Sequence, residues 1–139
     1  MSVKWFDLEL AFDFVGGGQG GVHQAYLCKR TGKLYWHSED LEDEEELPDD
    51  IDDTDKYIPI PDKKELDLGK PLVMDFASQF LPDDLERVRD IFRHRGAYGR
   101  FKDLLAHRHA IDQWHKYEAE MEKKALREWC EANAIEVEE

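Results

Sequence analysis

A strand pair placed where a nucleotide-binding fold would need a helix is the strongest constraint on this chain. Residues 23–38, "HQAYLCKRTGKLYWHS", contain two strand-compatible runs, Gln24–Lys29 and Lys33–Ser38, joined through Arg30-Thr31-Gly32. A glycine in so short a connection supplies the positive φ that hairpin turns require. Just upstream, "GGGQGG" puts glycines at 16, 18 and 21, the G-x-G-x-x-G spacing of a dinucleotide-binding turn. That motif works because a helix begins directly after it and aims its free N–H groups at the pyrophosphate. Here a strand follows, and no strand–helix–strand repeat supplies a parallel sheet. The glycine run therefore reads as a flexible connector, and no cofactor is expected.

The segments around the hairpin sort by their periodicity. Residues 5–15, "WFDLELAFDFV", alternate as a strand at 6, 8, 10, 12 and 14 but also repeat as a helix at 5, 8, 12 and 15. Residues 39–56 form an acidic connector, expected to be extended or loosely ordered because like charges at that density repel. "YIPIPD" follows, its prolines suiting an extended run or a sheet edge. The remainder reads as four helices. The first spans Lys70 to Phe80, with Pro71 at its start and Leu72, Phe76 and Phe80 on one stripe. The second spans Pro82 to Arg95, burying Leu85, Val88 and Phe92 and stopping at Gly96. The third spans Tyr98 to Ala106 on Tyr98, Phe101 and Leu105. The fourth spans Ile111 to Asn133, with a stripe of Ile111, Trp114, Met121, Ala125, Trp129 and Ala132 widened by Tyr117 and Leu126.

These elements predict an α+β fold. An N-terminal segment and a β-hairpin pack with a C-terminal cluster of about four helices. At 139 residues the chain suits a single domain, divided into a segment 5–38, the acidic connector 39–56 and a mainly helical part 57–139. No run approaches the roughly 18 apolar residues a membrane-spanning helix needs, so no membrane partner is expected. Asp7, Glu9 and Asp13 interrupt the apolar run that a signal peptide requires. Cys28 and Cys130 form no C-x-x-C motif and suit free packing thiols in a reducing cytoplasm, the expected location.

Charge is the most informative compositional feature. The formal net charge is −14, which opposes wholesale coating of nucleic acid or anionic lipid. Yet residues 39–55 hold twelve acids and no Lys or Arg, whereas residues 86–108 hold seven Lys/Arg against three acids. The molecule is bipolar. The basic group comprises Arg87, Arg89, Arg93, Arg95, Arg100, Lys102 and Arg108, and could meet a polyanion, since arginine forks match phosphate oxygens bidentately. Glu86 and Asp90 lie one turn from Arg89 or Arg93 and neutralise part of the set.

Other chemistry finds weaker support. Asp50 and Asp52 begin an EF-hand spacing, but Asp55 stands where that loop needs glycine. His94, His107, His109 and His115 suggest zinc, but 107 and 109 cannot share one helix face, so they read as surface histidines. None of Ser2, Ser38 and Ser78 sits in a G-x-S-x-G elbow. No catalytic, metal-binding or cofactor-binding residue is nominated.

Several strings together resemble a known family: "AYLCKRTGKLYWHSED", "KYIPIP", "LVMDFASQF", "RGAYGRFKDLL" and "WHKYEAEMEKKALREWCEANAI". The order, covering about Phe6 to Ile135, is similar to the mainly bacterial family UPF0158. Its most specific piece is Gly96-Ala97-Tyr98-Gly99-Arg100-Phe101-Lys102-Asp103, followed by Trp114. Gly99 departs from the bulkier polar residue usual there, as does the long glycine run, and glycine inside a helix costs up to about 1 kcal/mol against alanine. The resemblance implies an α+β fold with a helical first segment, which tilts residues 5–15 towards helix. It brings no activity, substrate or catalytic residue to carry over.

The expected function is a non-catalytic binding or regulatory role exercised through protein–protein contacts, with an unidentified partner or by self-association. Arg95, Arg100 and Lys102 are the nominated binding residues. Nucleic-acid binding through the basic helices at 87–108 is the alternative, and an unrecognised enzyme the third reading.

Overall fold

A computed structural model describes residues 1–16, 23–38 and 47–139. Most of the glycine run, at 17–22, and the acidic residues 39–46 lie outside the described residues, so the loop readings made there fall outside them too. The chain divides into two compact units, Met1–Asp62 with Glu128–Glu139, and Lys63–Arg127.

In the first unit, β1 (Ser2–Lys4) runs into α1 (Trp5–Gly16), followed by β2 (His23–Cys28), β3 (Leu34–Ser38) and β4 (Tyr57–Pro59). The ambiguous segment 5–15 is thus helical. Trp5, Leu8, Ala11 and Phe12 are buried, while Phe6 and Leu10 of the alternating pattern face solvent. Helical spacing defines the side that meets the core, and the strand-like alternation is coincidental. A strand follows the glycines, as the hairpin requires. Strands β2 and β3 pair antiparallel with Ala25 opposite Trp36 and Tyr26 opposite Tyr35. The loop closes through Cys28 N–H to the Lys33 carbonyl and Gly32 N–H to the Cys28 carbonyl, both at 2.9 Å.

Gly32 adopts φ +78°, and a Cβ there would collide with the Ser2 carbonyl oxygen. Only glycine combines that backbone angle with so close an approach. Strand β4 lines the other side of β2, with Leu27 opposite Ile58, giving the order β3-β2-β4. Pro59 is tolerated because β4 is an edge strand. Ala25, Leu27, Ile58 and Ile60 join the α1 residues in the buried core. A second sheet was unexpected. Strand β5 (Glu136–Glu138) pairs in parallel with β1, Val3 opposite Val137.

The described part of the acidic connector is ordered, contrary to the extended reading. Backbone bonds from Ile51 to Pro48, Asp53 to Asp50, and Lys56 and Tyr57 to Asp53 fold it into successive turns. Aspartates favour this because their carboxylates satisfy nearby backbone, as Asp53 Oδ1 does in accepting from Asp55 N–H.

The second unit contains α2 (Lys70–Phe80), a single 3₁₀ turn (Pro82–Asp84), α3 (Leu85–Ile91) and α4 (Ala97–His107). Helix α5 (Ile111–Ala132) begins here, and its last residues, from Glu128, belong to the first unit. The expected boundaries hold for α2 and within a residue for α4 and α5. The helix expected to reach Arg95 instead ends at Ile91. It tightens through i to i+3 bonds, Arg93 N–H to Asp90 and His94 N–H to Ile91, before Gly96 turns the chain at φ +73°. Four residues, Arg93-His94-Arg95-Gly96, offer nothing apolar to bury, so no core contact carries the helix further.

The core of this unit is aromatic. Phe76, Phe101 and Trp114 meet edge-to-face with centroids 5.2–6.5 Å apart, and Phe92 joins Phe101 at 5.8 Å. Val73, Val88, Leu104 and Leu105 fill the space around them. Phe80, Tyr98 and Ile111, expected on buried stripes, are exposed at 39%, 50% and 37%. All three lie at or near helix ends, where no further turn covers them. Ala132, at the end of α5, is exposed for the same reason.

Candidate functional site

Helices α3 and α4 and the turn between them carry the seven basic residues, and the structure divides these into paired and unpaired groups. Arg89 meets Glu86 one turn back at 2.6 Å. Arg108 reaches back to Asp84 with two parallel bonds, Nε to Oδ2 at 2.9 Å and Nη2 to Oδ1 at 3.0 Å. This fork is the strong form of an arginine–carboxylate pair. Hydrogen bonding from Arg108 holds the Asp84 carboxyl below its ordinary range despite partial desolvation, and the charges of Arg108 and Arg87 add to the effect. Asp90 lies 3.8 Å from His94, an ion pair only when the imidazole is protonated.

Arg87 acts on Asp84 through its charge, and the other four are uncommitted. Arg93, Arg95, Arg100 and Lys102 are exposed, with no side-chain hydrogen bond or ion pair among the described residues of their unit. Arg95 stands directly before Gly96, the N-cap of α4, which has no side-chain cap. Arg100 lies one turn into the helix, its N–H bonded to the Gly96 carbonyl. Side chains on a helix lean towards its N-terminus, so Arg95 and Arg100 serve the same end of α4. Lys102 does not. Two residues on, it sits about 160° away around the axis, above Tyr98 instead. Of the three nominated residues, Arg95 and Arg100 flank the first turn of α4, and Lys102 lies on another side of that helix.

The α4 terminus reinforces this charge. The first N–H groups of a helix lack intrahelical partners, and the helix dipole makes that end positive. Gly99, in the first turn, has open space where a side chain would stand, so its backbone is uncovered. Arginines gathered at a positive helix end are electrostatically unfavourable unless an anion arrives. This corner, Arg93, Arg95 and Arg100 around an uncapped helix start, is a surface suited to carboxylates or phosphates. The sequence signalled its charge but not which arginines were free. Arg108 is withdrawn by an aspartate 24 residues away.

Sequence reading placed Cys28 as a packing residue, and it is buried, as is Cys130; both are free thiols. Cys28 also lines a cleft of about 440 Å³ with Lys29, Arg30, Asp50, Asp55, Lys56 and Tyr57. Burial opposes ionisation of this thiol. Hydrogen bonds from the Thr31 hydroxyl and the Thr31 and Arg30 amides, with the Arg30 charge, outweigh it and bring Cys28 below the ordinary thiol range. The flanking cations are structural: Lys29 Nζ donates to the Thr54 carbonyl at 2.6 Å, and Lys56 pairs with Asp50 at 2.8 Å. Among the described residues no histidine lines the cleft to take the thiol's proton.

Among the described residues no group of three or more His, Cys, Asp or Glu side chains is arranged to hold a metal, and no helix is long and apolar enough to cross a membrane. His109 has a backbone role instead: at φ +56° it ends α4, and Ala110 N–H closes onto the Leu105 carbonyl at 2.8 Å.

No curated protein and no solved structure matches the chain. A protein-family profile does match, over residues 18–138, a span that takes in the hairpin, the arginine-bearing corner and α5. The chain belongs to the uncharacterised protein family UPF0158.

Proposed function

We propose that this protein is a non-catalytic binding protein that engages an acidic protein surface at the corner between α3 and α4. The observation that carries the reading is the set Arg93, Arg95 and Arg100 near an uncapped helix start, exposed and without an ion pair among the described residues, when Arg89 and Arg108 are already paired. Exposed arginines held without partners contribute nothing to folding and leave their charge free for a ligand.

The enzymatic reading draws less support. An active-site carboxylate is commonly raised in pKa by burial or a like charge. Among the described residues the two aspartates with shifted values, Asp50 and Asp84, move downward, each through hydrogen bonding to a structural cation, Lys56 and Arg108. Nucleic-acid binding uses the same arginines and adds Tyr98, half exposed and available for stacking. The net charge of −14 disfavours a long polyanion more than a short acidic segment.

The test is fluorescence anisotropy with a labelled oligo-glutamate peptide and, separately, a single-stranded RNA of equal charge. The expected result is salt-sensitive binding of the peptide, weakened about tenfold or more when Arg93, Arg95 and Arg100 are changed together to Gln. Binding of the RNA alone would transfer the corner to the nucleic-acid reading. Unchanged peptide affinity in the variant would remove the corner from consideration.

A further inference from the structure

Helix α1 presents an apolar ridge to solvent. Its inner side is fixed by Trp5, Leu8, Ala11 and Phe12, all buried. At about 100° of rotation per residue, Phe6 and Leu10 fall on the side directly away from that core. They are exposed at 68% and 46%. Single exposed apolar residues are ordinary on a protein surface. An i, i+4 pair is different, because the two side chains are neighbours and form one patch along the helix. The flanks of the patch are acidic. Asp7 and Asp13 are exposed and Glu9 half-buried, and α1 contains no Lys, Arg or His. These three carboxylates form no ion pair among the described residues. Phe6 and Leu10 thus add nothing to the core, and the charge around them is of one sign.

We propose that the Phe6–Leu10 ridge docks a basic amphipathic helix of a partner protein, one whose apolar stripe is flanked by Lys or Arg. Charge selects that occupant. A second copy pairing α1 with α1 would set acids against acids, which opposes the contact. A membrane surface is disfavoured on the same ground, since helices that lie on anionic lipid carry Lys and Arg around their apolar face. A basic helix places cations beside Asp7, Glu9 and Asp13 while Phe6 and Leu10 lose water against its stripe. Packed helices stand about 8–10 Å apart, close enough for Lys or Arg stems to reach carboxylates on the flanks. The apolar contact holds the pair together and the charges decide which helix is accepted. The proposal does not depend on the arginine corner, which belongs to the other unit.

A chain of net charge −14 attracts any cationic peptide, so the test separates the ridge from the overall field. Fluorescence anisotropy is measured with a labelled peptide of about 18 leucines and lysines, its leucines at helical spacing. A second peptide has the same composition in an order that forms no stripe. The proteins are the unaltered chain, a ridge variant with Phe6→Ser and Leu10→Ser, and a flank variant with Asp7→Asn, Glu9→Gln and Asp13→Asn. The unaltered chain is expected to prefer the striped peptide. The ridge variant should bind it about tenfold or more weakly at unchanged net charge, and the flank variant should also lose affinity. The stripeless peptide should bind the ridge variant and the unaltered chain alike. A folded ridge variant that holds the striped peptide as tightly as the unaltered chain overturns the proposal. Should the double change unfold the protein, Phe6→Ala alone is read the same way, with a loss of about fivefold or more expected. Self-association, or binding to phosphatidylserine vesicles, that depends on Phe6 and Leu10 in a chain that ignores the striped peptide also overturns it. The variant with Arg93, Arg95 and Arg100 changed to Gln should hold the striped peptide as well as the unaltered chain does. A loss there would put the peptide elsewhere than on α1, so the two proposals fail separately.

Discussion

The helical unit and the sheet-bearing unit solve the same problem, burying enough apolar surface, with different materials. In Lys63–Arg127 the centre is a set of aromatic rings on three helices, and acids and bases nearly balance. In the other unit Leu8, Ala11, Ala25, Leu27 and Ile58 pack mainly aliphatic surface between α1 and short strands, beneath a large excess of acid. Both hold together, so net charge does not choose the fold here. Apolar pattern does, and exposed charges add little to either core. The arginines are informative for that reason. Arg93, Arg95 and Arg100 form no ion pair among the described residues, in the unit where acids are plentiful.

The contrast in core chemistry gives the largest expected effect. Phe101 is fully buried and touches Phe76, Phe92 and Trp114. Phe101→Ala should cost about 3–5 kcal/mol, the range for deleting a buried aromatic side chain. Urea denaturation followed by tryptophan fluorescence measures it, and a loss below about 1 kcal/mol would mean the ring cluster is not the centre of its unit.

One substitution should act with opposite signs in the two regions. Gly32→Ala forces a Cβ against the Ser2 carbonyl at a positive φ, and should destabilise by about 2 kcal/mol or more. Gly99→Ala meets open space inside α4 and should stabilise by up to about 1 kcal/mol, since alanine is the better helix former. Thermal melting of both variants checks the pair. Equal effects would show that the hairpin contact with Ser2 is not the constraint the geometry indicates.

These cases also mark what could be read from the sequence. Helix α2 was legible to the residue because Pro71 fits only a first turn and Leu72 and Phe76 repeat at helical spacing. The hairpin was legible because Gly32 is a local requirement. The β1–β5 ladder was not: "SVK" and "EVE" are three residues each, too short for any period, and they pair across nearly the whole chain. The early end of α3 was hidden because Gly96, the visible stop signal, comes after four residues that had already left the helix. At the site, the local pair Arg89–Glu86 follows from spacing, while Arg108–Asp84 is a tertiary contact. Sequence could locate the basic region but could not subtract from it.

That subtraction has a pH signature, the smallest effect expected. Asp84 is held below its ordinary value of 3.8, chiefly by the Arg108 hydrogen bond. A carboxyl whose folded value is depressed contributes stability that is complete above the unfolded value and disappears as pH falls through the folded one. Asp84→Asn should therefore be less stable than the unaltered chain at neutral pH, with the gap closing as pH is lowered below about 4. Asp50 in the acidic unit is also depressed, by Lys56, so Asp50→Asn should follow the same sign. Its effect should be weaker, because the Asp50 side chain is 44% exposed against 13% for Asp84, and its partner makes a single contact where Arg108 makes two. Melting temperatures from pH 7 down to the onset of acid unfolding measure both variants. A larger pH-dependent gap for Asp50→Asn would place the stronger ion pair in the acidic unit, and Arg108 would rejoin the cations free to bind.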